Sequence, residues 1–209
     1  MKALVTSSIT IFLAFFAVMN PIANAAVFVG LTADQDHATR KKTAFRAIAA
    51  AFCIILLFCV LGKAIFELFG ISLPAFRITG GILIFIVGYH MLQGEQSRIH
   101  HQAAGPNGGR SDSQSDVAIS PLALPILAGP GTIATAVNYS ATGSISQSAV
   151  TVAAFIVLCV ITFVAFLSGD RLVGFLGAKG MDVITRLMGL ILAVVGVQML
   201  LEGIRGANL

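Results

Sequence analysis

Two short stretches of this sequence place helix breakers and hydrogen-bonding groups inside long apolar segments. They are residues 19–24 and residues 128–133. A helix that runs through Pro21 must kink or open, because proline has no N–H group and its ring clashes with the preceding turn. The glycines on either side of Pro130 favour non-helical backbone as well. In hydrocarbon, backbone groups freed in this way persist only where they line a cavity or lie buried in protein.

Paired breaks of this kind could bind a zwitterionic solute without placing a formal charge in the membrane. The N-terminus of a half-helix offers free N–H groups and roughly half a positive charge, which suit a carboxylate. Freed carbonyl groups suit an ammonium group. The residues predicted to bind substrate are Asn20, Pro21, Asn24, Gly129, Pro130, Gly131 and Thr132. The alternative is that both breaks are only kinks that shape helix packing.

Three other side chains could contribute to transport. His90 lies near the end of an apolar segment and could relay protons, although a lone histidine there is more often interfacial. Arg77 and Arg186 each lie at the start of an apolar segment. They could gate one face or hold a substrate carboxylate, and the alternative is that they anchor the helix ends at the interface.

The composition predicts a membrane protein. Of the 209 residues, 57% are hydrophobic and 11% are charged, with a mean hydropathy of +0.94. Soluble domains are about 45–50% apolar and about 25% charged. The net charge of +4 resides in polar connections without interleaved aromatic residues, so no nucleic-acid partner is expected.

Few other classes of chemistry are indicated. The three cysteines have no metal-ligand spacing, so neither a metal nor another cofactor is expected. No nucleotide-binding loop and no convincing nucleophile–base set is present, so the chain is not predicted to be an enzyme. No Asp or Glu lies in the middle of an apolar segment, which argues against a cationic substrate.

The chain divides into two halves that resemble each other. Gly81 and Gly88 in the first half fall on Gly189 and Gly196 in the second with one constant offset, and we expect these glycines to pack the third and sixth helices together. Each half has three apolar segments, so the halves must enter the membrane from opposite sides.

We therefore predict an all-α integral membrane protein with six transmembrane helices as two inverted three-helix repeats, helices 1 and 4 being broken. The six apolar segments are residues 4–31, 47–62, 76–92, 117–139, 149–167 and 187–201. The predicted units are residues 1–93, a cytoplasmic linker over 94–116, and residues 117–209.

The basic residues predict the orientation. Nine of the thirteen Lys and Arg residues follow the first, third and fifth apolar segments. The positive-inside rule then places both termini on the outer side of the membrane. The first segment also resembles a secretory signal peptide with small residues at 23 and 25, but removing it would leave the second half without its partner.

Several of these motifs together resemble the MarC/SnatA family of bacterial inner-membrane proteins. The motifs are residues 20–24, 70–74 with 77–81, 124–125 with 128–133, and 185–189 with 197–199. The resemblance covers essentially the whole chain. It implies six membrane helices, a place in the bacterial inner membrane, and transport of small neutral amino acids such as alanine and glycine.

The expected mechanism is alternating access, with the substrate held between the two broken helices near the bilayer centre. A proton or sodium gradient would drive it. The alternative function is a structural or accessory membrane subunit without transport activity of its own. The oligomeric state is left open.

Overall fold

The computed structural model describes residues 2–94, 127–140 and 145–207, which are helical apart from short connections. The described residues form seven helices: α1 Lys2–Met19, α2 Pro21–Leu31, α3 His37–Phe69, α4 Leu73–Gln93, α5 Pro130–Ser140, α6 Ile145–Leu167 and α7 Gly169–Gly206. Helix α7 is interrupted at Gly177, where φ is 61° and ψ is 175°. The predicted linker after Gly94, together with Leu124 and Pro125 of the family motif, lies outside the described residues.

Within the described part of the chain, five stretches of helix are long and apolar enough to cross a bilayer, whose hydrocarbon core of about 30 Å requires about 20 apolar residues. They are Thr6–Leu31, His37–Gly62, Leu73–Gln93, Ser146–Leu167 and Lys179–Gly206. The predicted class, an all-α integral membrane protein, is thus confirmed. Of the predicted fourth segment, the structure describes only residues 127–139, most of which form α5.

The first span lies deepest inside the protein. Of the most apolar 18 residues of Thr6–Leu31, 56% are buried, compared with 28–33% in the corresponding stretches of the four other spans. Its large aromatic side chains explain this burial: Phe15 packs against Phe155 with ring centres 5.1 Å apart, and Phe28 lies parallel to Phe166 at 4.4 Å. The broken span is therefore enclosed by other helices, as a central element must be.

Capping residues define the ends of α3. Asp36 accepts hydrogen bonds from the backbone N–H groups of Ala38 and Thr39 at the start of the helix. Hydrogen bonds from Thr39, side chain first and backbone second, lower the pKa of the Asp36 carboxyl. At the other end Gly70 adopts a left-handed conformation with φ 64°, which costs glycine nothing, and Ser72 then caps α4.

Helices α4 and α7 form the most extensive helix pair in the described part of the chain, and glycines line the contact. A Cβ built on Gly81 would lie 2.6 Å from the Gly196 carbonyl oxygen, and one on Gly196 would lie 2.7 Å from that of Gly81. Gly88 and Gly189 have the same reciprocal relation at 2.7 and 2.8 Å. The two helices are therefore antiparallel and pack backbone to backbone, which only small residues allow.

Candidate functional site

The first break lies at Asn20, between α1 and α2. Its backbone has φ 39° and ψ 70°, and it is the only non-glycine residue with positive φ in the described ranges. Asparagine tolerates this left-handed conformation better than most residues. The residue before a proline is disfavoured in a helix, and Pro21 is well suited to the first helical position. The Asn-Pro pair therefore ends α1 and starts α2 within one span.

Two asparagine side chains each satisfy one of the backbone groups that the break frees. The Asn20 Oδ1 accepts a hydrogen bond from the Ala23 N–H at 3.3 Å and so caps α2. The Asn24 Nδ2 donates to the Met19 carbonyl at 2.5 Å and so closes the end of α1. Asn24 was predicted to bind substrate, and in the structure its amide nitrogen is engaged within the protein.

One donor at the break remains unpaired. The Asn20 side chain belongs to a residue that is only 4% exposed, and its Nδ2 is buried with no hydrogen-bond partner within the described part of the chain. A buried donor without a partner costs about 1–3 kcal/mol, so such groups are rare in native proteins. The Nδ2 group is therefore a candidate donor for a bound ligand.

Replacing Asn24 with alanine should lower stability because the Met19 carbonyl would be left buried without a partner. We expect a loss of about 1–3 kcal/mol, or a fall of roughly 3–10 °C in thermal midpoint for a chain of this size. The control is Thr10→Ala, which removes an exposed hydroxyl that donates to the Thr6 carbonyl on α1, within the same membrane span. If both variants melt at the same temperature, Asn24 does not close α1.

The second break precedes α5, which begins at Pro130. The Gly129 carbonyl accepts the first helical bond, from the Ile133 N–H at 3.0 Å. Gly131 packs against α1, since a Cβ at this position would lie 3.2 Å from Cγ1 of Val18. Thr132 is 1% exposed. Eight of the eleven residues of α5 are buried, so this half-helix also lies inside the protein.

The structure brings the two breaks together. Gly131 contacts Val18, two residues before Asn20, and Ala128 shares a buried cluster with Met19. Six of the seven predicted binding residues are buried, and only Pro130 is exposed. The sequence therefore located two neighbouring breaks that lie almost completely within the protein interior.

The three other predicted residues do not come together: Arg77 lies near the start of α4, whereas His90 and Arg186 of α7 lie near its end. Arg77, near its start, is half-buried and donates from Nε to Oδ1 of Asn138 at 2.8 Å, which ties α4 to α5. Arg186 is exposed, pairs with Asp182 at 3.3 Å and lies beside the last turn of α4. His90 is also exposed near that end, about 20 Å along the helix from Arg77.

Two polar pairs were missed from the sequence. Asn138 is a buried polar residue in an apolar segment, a signal that could have been noticed because such residues often bond between membrane helices. Arg40 was counted only as a loop charge, yet its Nη1 pairs with Asp170 Oδ2 at 2.6 Å. No group of three or more metal-ligating side chains comes together among the described residues.

Comparison with known proteins supports one family. A family model described as the MarC family integral membrane protein matches residues 5–208. The UPF0056 membrane protein YvbG of Bacillus subtilis is 40% identical over 200 residues, which cover 94% of this chain and 93% of that protein. MJ1677 of Methanocaldococcus jannaschii is 35% identical, with 95% and 96% covered. YhcE of Escherichia coli is 33% identical, with 93% and 90% covered. No solved structure matches the chain significantly.

Proposed function

The chain belongs to the MarC family of integral membrane proteins, and on this premise we propose that it is a secondary transporter of small neutral amino acids such as alanine and glycine. The observation that carries the proposal is the buried, unpaired Nδ2 of Asn20 at the start of a half-helix. A substrate carboxylate supplies the missing acceptor. The Ile22 N–H adds a second donor, because a helix does not use the N–H groups of its own first turn.

The substrate ammonium is bound by carbonyl groups at the end of α1. Pro21 has no N–H, so the carbonyl of Ala17 loses its helical partner. Ala17 is 1% exposed and shares a buried cluster with Ala134 of α5. This acceptor therefore lies between the two breaks. Both ends of a zwitterion are thus recognised by dipoles, which is the least costly form of recognition where formal charges are disfavoured.

The close packing at the breaks selects for small side chains. Gly131 approaches Val18 so closely that even a Cβ would be in tight contact. Glycine and alanine add no more than one methyl group to the zwitterion. A branched or aromatic amino acid would require α5 to move away from α1. We therefore expect leucine to be transported poorly.

The proposed architecture is six membrane helices in two inverted repeats, and the antiparallel pairing of α4 and α7 supports it. These helices end the two predicted repeats and exchange equivalent contacts through Gly81, Gly88, Gly189 and Gly196. Rocking of one repeat against the other would then expose the central site to each face in turn. The protein resides in the bacterial inner membrane with both termini on the periplasmic side, acts without a cofactor and catalyses no reaction.

Flux into liposomes tests the function. Purified protein is reconstituted, and uptake of labelled glycine and alanine is measured without a gradient, with a proton gradient and with a sodium gradient. We expect saturable uptake that one gradient accelerates, with leucine at least tenfold slower. If folded protein transports none of a wide panel of neutral solutes, the accessory-subunit function replaces this one.

A further inference from the structure

A second group of unpaired donors lies at the other end of α2. The Arg40 side chain is 11% exposed, whereas that of its partner Asp170 is 59% exposed. Nη1 of Arg40 donates to Asp170 at 2.6 Å, and Cζ lies 5.6 Å from the centre of the Phe28 ring. Phe28 in turn stacks on Phe166. The ion pair and the ring together hold the guanidinium plane in position.

The rest of the guanidinium is left without a partner. Nε and Nη2 of Arg40 are both buried and make no hydrogen bond within the described residues. Their N–H bonds point the same way along one edge, which is the geometry that binds both oxygens of a carboxylate or phosphate. Gly169 lets α7 pack closely against α2 beside this edge, since a Cβ on it would lie 2.5 Å from Cγ2 of Val29 and 3.8 Å from Nη2. Asp170 therefore occupies only one of the three nitrogens.

We propose that the Nε–Nη2 edge of Arg40 is a second binding station for the carboxylate of the transported amino acid. The inference rests on the proposed transport function. Asn20 and Phe28 are eight residues apart on α2, or about 12 Å, so the two stations lie at the two ends of one half-helix. Arg40 receives the carboxylate at the membrane face where α3 begins, and the uncharged Asn20 receives it at the break.

A charged first station and a neutral second one suit their positions. Arg40 lies three residues after His37, the first residue of α3 and of the span His37–Gly62. A charge costs far less at this end of the span than at the bilayer centre. Asp170 balances part of the charge of Arg40, which lowers the affinity of the Nε–Nη2 edge for the carboxylate and allows the substrate to leave it. The central station at Asn20 lies within the span, where uncharged donors are tolerated better than a formal charge.

Transport by R40K tests the proposal. Lysine keeps the positive charge and can still pair with Asp170, but it lacks the two parallel N–H donors with which a guanidinium binds both oxygens of a carboxylate. We expect the KM for glycine to rise about tenfold, with kcat changed less than threefold. The control is K41Q, which removes a charge from an exposed neighbour and should leave KM unchanged. Equal KM values for R40K and K41Q, with glycine transported by the wild type, would overturn the station and leave the transport function intact.

Chemical labelling of the wild type tests the edge independently of transport and of variant folding. Phenylglyoxal reacts with guanidinium groups, and mass spectrometry of the Arg40 peptide measures its rate. Glycine and acetate, which carry a carboxylate, should slow the adduct at least threefold, while ethanolamine should not. Protection by inorganic phosphate alone, or no adduct at all, would overturn the proposal. Protection by acetate without any glycine flux would retain the carboxylate edge and reject transport.

Discussion

Asn20→Asp should abolish amino-acid flux while leaving the fold intact. Aspartate and asparagine are equally good helix caps, so the introduced carboxylate can still accept the Ala23 N–H bond. The Nδ2 donor, however, is replaced by a negative charge where the substrate carboxylate is proposed to bind. Losing the donor costs about 1–3 kcal/mol, and two like charges about 4 Å apart repel by about 4 kcal/mol at an effective dielectric constant of about 20. We expect labelled-glycine uptake to fall at least 100-fold, and the buried charge to lower the stability by about 2.5–3.5 kcal/mol.

Asn20→Gly separates the two causes. Glycine adopts positive φ freely and replaces asparagine as a cap at a cost of a few tenths of a kcal/mol. It removes the donor without adding a charge, so we expect a loss of about tenfold. Uptake should therefore decrease in the order wild type, N20G, N20D. Wild-type uptake by well-folded N20D would mean that the side chain of Asn20 does not face the substrate.

The positions of the breaks could be predicted because their causes are covalent and local. Proline lacks a donor and restricts the residue before it, whatever surrounds the chain. The roles of the two asparagines could not be predicted in the same way. Asn20 and Asn24 differ only in position, and the rotamers in the folded structure determine that Asn24 turns back to Met19 while the Asn20 amide stays unpaired.

Packing partners distant in the sequence were predicted only where a pattern repeated. The seven-residue spacing of Gly81 and Gly88 places both on one helix face, and its recurrence at Gly189 and Gly196 suggested that the two faces meet. Arg40 and Asp170 are 130 residues apart and belong to no repeated pattern. In the sequence Arg40 is one of the loop charges that predict the orientation of the chain. Nothing in that pattern indicates that its side chain is almost fully buried.

Gly88→Ala should destabilise the protein strongly because α4 and α7 pack backbone to backbone at this position. The added Cβ would lie 2.5 Å from the backbone nitrogen of Ala193 and 2.7 Å from the carbonyl oxygen of Gly189. Neither atom can rotate away as a side chain could, so the helices must move apart along their whole contact. Overpacking of a tight interior costs about 1–3 kcal/mol, or roughly 3–10 °C in thermal midpoint. Melting of the purified protein in detergent measures the change.

Gly30→Ala is the matched control, since Gly30 also lies in a helix but has no other atom within 4 Å of the place that an added Cβ would take. Alanine is favoured over glycine in helices by about 0.5–1 kcal/mol, so this variant should melt at or slightly above the wild-type temperature. Gly196→Ala should behave like Gly88→Ala, because its Cβ would lie 2.5 Å from the backbone nitrogen of Phe85 on the facing helix. G88A and G196A could instead have the same thermal midpoint as G30A. In that case α4 and α7 would move apart without any loss of stability, and their contact would be a movable surface between the repeats rather than a fixed one.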